Sequence, residues 1–279
     1  MKKLYAAIGI DCDPDRDTPP NRLTWRGIEN IARLSAIDGI RWTFNIRADS
    51  QVKAYHGRAD FCYREYRDIW DQVRRDGSAI ALHLHYFGSD NRQNTAEDNI
   101  EENIRLGVEA LEGPDIVHMG WTFQNDFSIK KLAEAGIKID YSPLPKMNFT
   151  GKSGVDSYDW SGFAYEPTIW HGVKMIPAYT CKSRLLSLRH HSERVMMTTA
   201  TRPMLYNILL RDFFRDGHDF FVSYFHIDEI ISALGGWRKH LYSFENLRAN
   251  IDRLKDMAAK NGYEIEFVNI RELAGVLFK

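Results

Sequence analysis

The chain has 279 residues, 44% apolar and 27% charged, a balance that argues against disorder and is long enough to bury a full core without staples. Its 37 basic and 38 acidic side chains leave a net charge of −1, which excludes a polycationic nucleic-acid binder and gives no steering toward acidic membranes. The odd set Cys12, Cys62 and Cys181 is too small and scattered for a disulfide framework and fits a reducing compartment.

The first element is an apolar strand over residues 4–10, too short for a signal-peptide core and ended by Asp11 with no small-residue cleavage site. No run approaches the roughly 20 apolar residues of a spanning helix, so a soluble cytoplasmic protein without a transmembrane segment is expected. A helix starting near Thr24 carries Ile28, Ile31 and Leu34 on one face and stops at Gly39, before a strand over 40–46. The next helix carries Tyr63, Tyr66, Ile69, Trp70 and Val73, stops at Gly77, and is followed by a strand over 79–85. Thr95 with Asp98 resembles a capping box for a helix with the stripe Ile100, Ile104, Val108 and Leu111. Gly113-Pro114 ends it, and a short strand over 116–118 follows. The cycle returns at Gly136, Gly217 and Gly262, each placed where a left-handed residue closes a helix. Later strands are expected over 220–225 and 264–268, and 142–170 reads as a long irregular functional loop.

Strands alternating with helices imply parallel pairing through right-handed crossovers. Seven or eight such strands predict an α/β fold: a single (β/α) barrel over 1–279, distorted or incomplete, with the loop insertion at about 142–170. An open doubly wound sheet is the competitor, without a dinucleotide site, because no glycine-rich loop follows the first strand.

Three strand ends carry the polar residues that a barrel uses for chemistry. His83 and His85 lie two apart on one strand and face the same way, flanked by Leu82 and Leu84. Two unpaired imidazoles in a buried strand would be costly, and sharing a cation removes that cost. Asp11 and Asp13 follow the same two-residue rule at the first strand end. One carboxylate with the two histidines makes a three-ligand site, and the other is free to act as base. His226 ends a late strand, near Asp228 and Glu229. His190 and His191 sit in a charged stretch and read as surface. Asp15 and Asp17 read as loop, and His171 and His240 carry no argument. Trp121, Tyr158, Trp160 and Trp170 are structural plugs or stacking floors for sugar rings.

Together these residues resemble the polysaccharide deacetylase family, the NodB-homology carbohydrate esterases, from about Ile8 to Ile230. Ile8-Gly9-Ile10-Asp11-Cys12-Asp13 resembles its first motif and the 42–49 stretch its second strand. Leu82-His83-Leu84-His85 is similar to its metal-histidine motif, and His118-Met119-Gly120-Trp121 stands at its third motif. Tyr158-Asp159-Trp160-Ser161-Gly162 resembles its loop motif, and Phe225-His226 stands at its last. The resemblance implies Asp11 as base, Asp13, His83 and His85 as ligands of a divalent metal, zinc above others, and His226 as acid. It implies a carbohydrate substrate, with Arg47, Trp121, Tyr158, Asp159 and Trp160 expected to contact it. The expected reaction is removal of an acetyl or formyl group from an N-acylated sugar. The two-residue histidine spacing, with Phe87 at the fourth place, looks like the branch associated with surface-polysaccharide biosynthesis. His118 stands where the family often has the arginine that orients the base. Competing readings are another metal-dependent barrel amide hydrolase and a non-catalytic carbohydrate-binding homologue. The oligomeric state is not written in the sequence.

Overall fold

The computed structural model describes residues 1–13, 34, 37, 39–88, 92–149, 158–182, 194–230 and 241–279. The helix expected from Thr24, apart from Leu34, lies outside these residues, as do Asp15, Asp17, His190, His191 and His240. In chain order the strands are β1 (Lys2–Cys12), β2 (Thr43–Arg47), β3 (Ala79–Leu84), β4 (Ile116–Met119), β5 (Ile139–Asp140), β6 (Asn148–Phe149) and β7 (Tyr158–Asp159). They continue with β8 (Thr168–Trp170), β9 (Val173–Met175), β10 (Cys181–Lys182), β11 (Arg194–Val195), β12 (Phe220–His226) and β13 (Tyr263–Phe267). The described helices are α1 (Ser50–His56), α2 (Phe61–Glu65), α3 (Arg67–Arg75), α4 (Glu97–Ala110), α5 (Asp126–Glu134), α6 (Pro203–Asp216), α7 (Phe244–Lys260) and α8 (Ile270–Leu277).

Nine strands form the main sheet in the order β12-β1-β2-β3-β4-β5-β9-β8, with β13 also paired to β1. All pairs are parallel except the β8–β9 hairpin, so eight strands run parallel. β1 is long enough to serve three partners. β12 takes the edge from Tyr5 to Asp11, while β13 and β2 share the other edge, against Lys2–Ala6 and Gly9–Cys12. Among the described residues the sheet curls into a distorted barrel without a full closing ladder. The Tyr179 N–H donates to the Val222 carbonyl at 2.8 Å and the Thr199 N–H to the Tyr224 carbonyl at 3.3 Å, so isolated bonds bridge the gap to β12. Trp42, Phe44, Trp70, Phe213, Phe221 and Phe225 lie fully buried in the core. Among the described residues no helix is long and apolar enough to cross a membrane.

Local chemistry explains where the elements depart from expectation. The single helix predicted around Tyr66 is two, because the Cys62 carbonyl accepts from the Trp70 indole at 3.0 Å and Tyr66 leaves the helical region (φ −121, ψ 30). Thr95 does not cap α4. Its cap is Ala96, with no side-chain bond, and Asn94 Oδ1 takes the Ala96 N–H at 3.0 Å. The stretch 142–170 is not uniformly irregular: β6 pairs with β7, and β8 opens a hairpin turning at His171 (φ 48) and Gly172 (φ 84). Positive φ at both central residues marks the mirror-image turn that matches strand twist. Gly77 and Gly217 adopt the expected left-handed form, with φ 83 and 75.

Candidate metal centre and catalytic pocket

The strand registers assemble the site before any side chain is considered. Asp11 lies opposite His226 on β12 and Asn45 on β2, which makes one row across three strands. Arg47, His83 and His118 make a second row across β2, β3 and β4. Both rows stand at the carboxyl ends of parallel strands, where a barrel exposes its inward side chains.

Asp13, His83 and His85 bring one ligand atom each within 4.8 Å of one another. Asp13 Oδ1 is 3.6 Å from His83 Nε2 and 3.4 Å from His85 Nε2, and the two Nε2 atoms are 3.1 Å apart. A tetrahedral cation with bonds of about 2.0–2.1 Å separates its ligands by about 3.3 Å, so the three atoms match such an ion. The tautomer of His83 agrees with this. Its Nδ1–H donates to the His118 carbonyl at 2.7 Å, which leaves the Nε2 lone pair aimed at the cluster. His85 is held by Phe87, whose ring stacks on it at 5.3 Å, and by Gly120, where a Cβ would stand 2.0 Å from His85 Nε2. Burial raises the Asp13 carboxyl, but His83, His85 and Arg47 outweigh it and hold it well below the usual carboxylate range. Burial and the Arg47 charge push His85 down to about 4, which keeps its ring neutral for ligation.

Asp11 is buried and stands outside the ligand triplet. Asn45 Nδ2 donates to its Oδ1 at 2.7 Å, and the Tyr141 hydroxyl donates in turn to Asn45 Oδ1. Gly9 makes room for that hydroxyl, since a Cβ there would meet it at 2.6 Å. His118 Nε2 is 3.6 Å from the same carboxylate oxygen, and its ring lies against Tyr141 and Tyr224 at 4.4 and 4.5 Å. Burial pushes His118 down to about 4, so a neutral ring faces Asp11 and the short hydrogen bond comes from Asn45. Burial raises Asp11, yet His118, His83 and His226 prevail and keep it below its ordinary value.

His226 Nε2 lies 3.7 Å from Asp11 Oδ2, on the other side of Asp11 from the ligand cluster, and Nδ1 lies 3.9 Å from Glu229 Oε1. Burial disfavours its charged form, but Asp11, Glu229, Asp13 and Asp228 push it up to about 9. The ring is therefore protonated at neutral pH.

These groups share a cavity of about 420 Å³ with Trp121, Tyr158 and Tyr224. Trp121 and Thr122 both take positive φ, 55 and 50, an uncommon strained turn that sets the indole at the cavity mouth. The Thr122 carbonyl accepts from Trp160 Nε1 at 2.8 Å. Three residues expected at the substrate stand elsewhere. Arg47 is buried with its guanidinium committed to Asp49, Asp13 and Gln51, Asp159 is exposed and caps its own turn through Ser161, and Trp160 is a buried strut. Asn45, Tyr141 and Glu229 were not singled out from sequence as site residues. The signal for Asn45 is the buried polar alternation Thr43, Asn45, Arg47 in β2, whereas Tyr141 and Glu229 give no pattern of their own.

The fold is similar to that of a Mycobacterium smegmatis protein described as a candidate polysaccharide deacetylase, with TM-score 0.59 and 14% identity over 99% of this chain and 91% of that one. It is also similar to the allantoinase PuuE, with TM-score 0.54 and 11% identity over 98% and 89% of the two chains. The α-amylase AmyC from Thermotoga maritima follows, with TM-score 0.51 and 10% identity over 99% and 75%. At these identities the likeness is one of fold. No protein-family model matches the chain. No curated protein matches it by sequence.

Proposed function

We propose that this chain is a metal-dependent hydrolase that removes the acyl group from an N-acylated sugar or polysaccharide precursor, with zinc the expected cation. The observation that carries the reading is a tetrahedrally spaced Asp13–His83–His85 set beside a carboxylate left free of it, with the His226 imidazole beyond. Likeness of fold to a candidate polysaccharide deacetylase supports the substrate class. A cation held by the triplet would polarise the acyl carbonyl and acidify its water.

Asp11, ionised and oriented by Asn45, takes a proton from the attacking water. The water oxygen bonds to the carbonyl carbon, and the carbon–nitrogen bond breaks as His226 gives its proton to the nitrogen. A carboxylic acid and an amine leave, the acid then ionising in solvent, and the proton on Asp11 returns to His226 across their 3.7 Å contact. Trp121 and Tyr158 offer rings for a sugar face at the cavity wall. The test is carboxylate release from N-acyl glucosamine and its oligomers by zinc-loaded protein, with and without chelator. Release that stops with chelator and in Asp11→Asn supports the reading. Bound metal without release from any N-acyl sugar overturns it in favour of a binding protein.

A further inference from the structure

We propose that the acyl group taken by this cavity is a medium-length aliphatic chain, longer than acetyl. The inference rests on the hydrolase reading and concerns the wall of the cavity which that reading leaves without a role. Catalytic groups stand on β1, β3 and β12. The facing wall is Met119 at the end of β4, Leu144, Met147 and Phe149 after β5, and Val195 with Met196 at β11. Among the described residues the cavity has no charged lining outside the catalytic cluster with His118. A sugar ring laid on that wall would leave hydroxyls unpaired, whereas methylenes lose nothing there.

Direction agrees with polarity. The carbonyl oxygen belongs at the Asp13–His83–His85 side and the nitrogen at His226 on β12. The remaining substituent of that carbon, the acyl chain, is turned across the barrel mouth. The segment after β5 lies there, four strands from β1 in the sheet order. The flexible thioethers of Met119, Met147 and Met196 adapt to a chain better than to a rigid ring.

The experiment compares N-acetyl-, N-butanoyl- and N-octanoylglucosamine as substrates of the zinc-loaded protein, with the octyl glycoside of N-acetylglucosamine as a fourth. Each methylene buried is worth about fourfold in kcat/KM, so the octanoyl compound should exceed the acetyl one by at least about 100-fold. Phe149→Ser and Met147→Ser should lower that ratio, which is read within each variant and so is independent of how much of it folds. Calorimetry gives a readout apart from turnover: octanoate should bind at least about 100-fold more tightly than acetate, with a negative heat-capacity change. An acetyl compound hydrolysed as well as the octanoyl one overturns the inference and leaves the hydrolase standing. A gain from the octyl glycoside instead overturns it by placing the chain on the leaving side. Equal binding of octanoate and acetate overturns it whether or not any substrate turns over.

Discussion

Asp11 and Asp13 are two residues apart on one strand end, yet their neighbours divide their roles. Asp13 faces two imidazoles at ligand spacing, whereas Asp11 meets an amide donor and His226. Asp11→Asn should therefore keep its metal and fold but lose about 10²–10⁴-fold in turnover, as measured by amine release beside metal content. On the proposed reading, the pair Asp11 and His226 also sets the pH profile. The base works when ionised, so rate is lost as pH falls through the depressed Asp11 value. The acid works when protonated, so rate is lost as pH rises through His226, pushed up to about 9. A cation nearby lowers both, which places the alkaline limb at or below about 9. His226→Ala should remove that limb and slow an N-acyl substrate far more than a nitrophenyl ester, whose leaving group departs unprotonated. Equal losses on both would show that His226 is not the acid. The two-residue period made His83, His85 and the aspartates legible in sequence. The polar alternation of β2 marks Asn45, but its partner Asp11 emerges only with the β1–β2 register, and Tyr141 acts on Asn45 from 96 positions away, beyond any local pattern.

At the scale of elements, the end of β4 shapes the candidate metal site without supplying a ligand. The turn over Gly120–Thr122 passes so close to His85 that only a glycine fits, since a Cβ at Gly120 would stand 2.0 Å from Nε2. His85 is buried, with the Phe87 ring stacked on it. Gly120→Ala should thus weaken metal binding at least about 10-fold with the far-ultraviolet dichroism unchanged, and unchanged affinity would show that the ring relaxes freely. Element types were largely readable from the glycine-punctuated cycle, while boundaries were not. Thr95 had the sequence of a cap, but Asn94 reached the backbone first, and Trp70 took the carbonyl that would have carried one helix through Tyr66. The short strands β6, β7 and β8 are too brief to show a period of two, so 142–170 read as loop.

In the whole molecule, a distorted or incomplete barrel was legible because alternating elements admit few topologies, but the bonds that bridge its gap were not, because single bonds leave no periodicity. Closure near β12 leans on Asn250, fully buried on α7, whose Nδ2 donates to the Thr199 and Thr201 carbonyls at 2.8 and 2.7 Å. Asn250→Ala leaves both acceptors unpaired and should cost about 1–3 kcal/mol in urea unfolding, with metal retained by the folded fraction. An unchanged midpoint would mean that the bridge does not depend on that clamp. The central claim is that strands β1 and β3 converge to hold one divalent cation on Asp13, His83 and His85. It is tested most directly by metal stoichiometry of the purified, zinc-dialysed chain beside the His83→Ala/His85→Ala double variant. About one tightly held ion per chain is expected in the first and none in the second. Equal metal content in the two would contradict it.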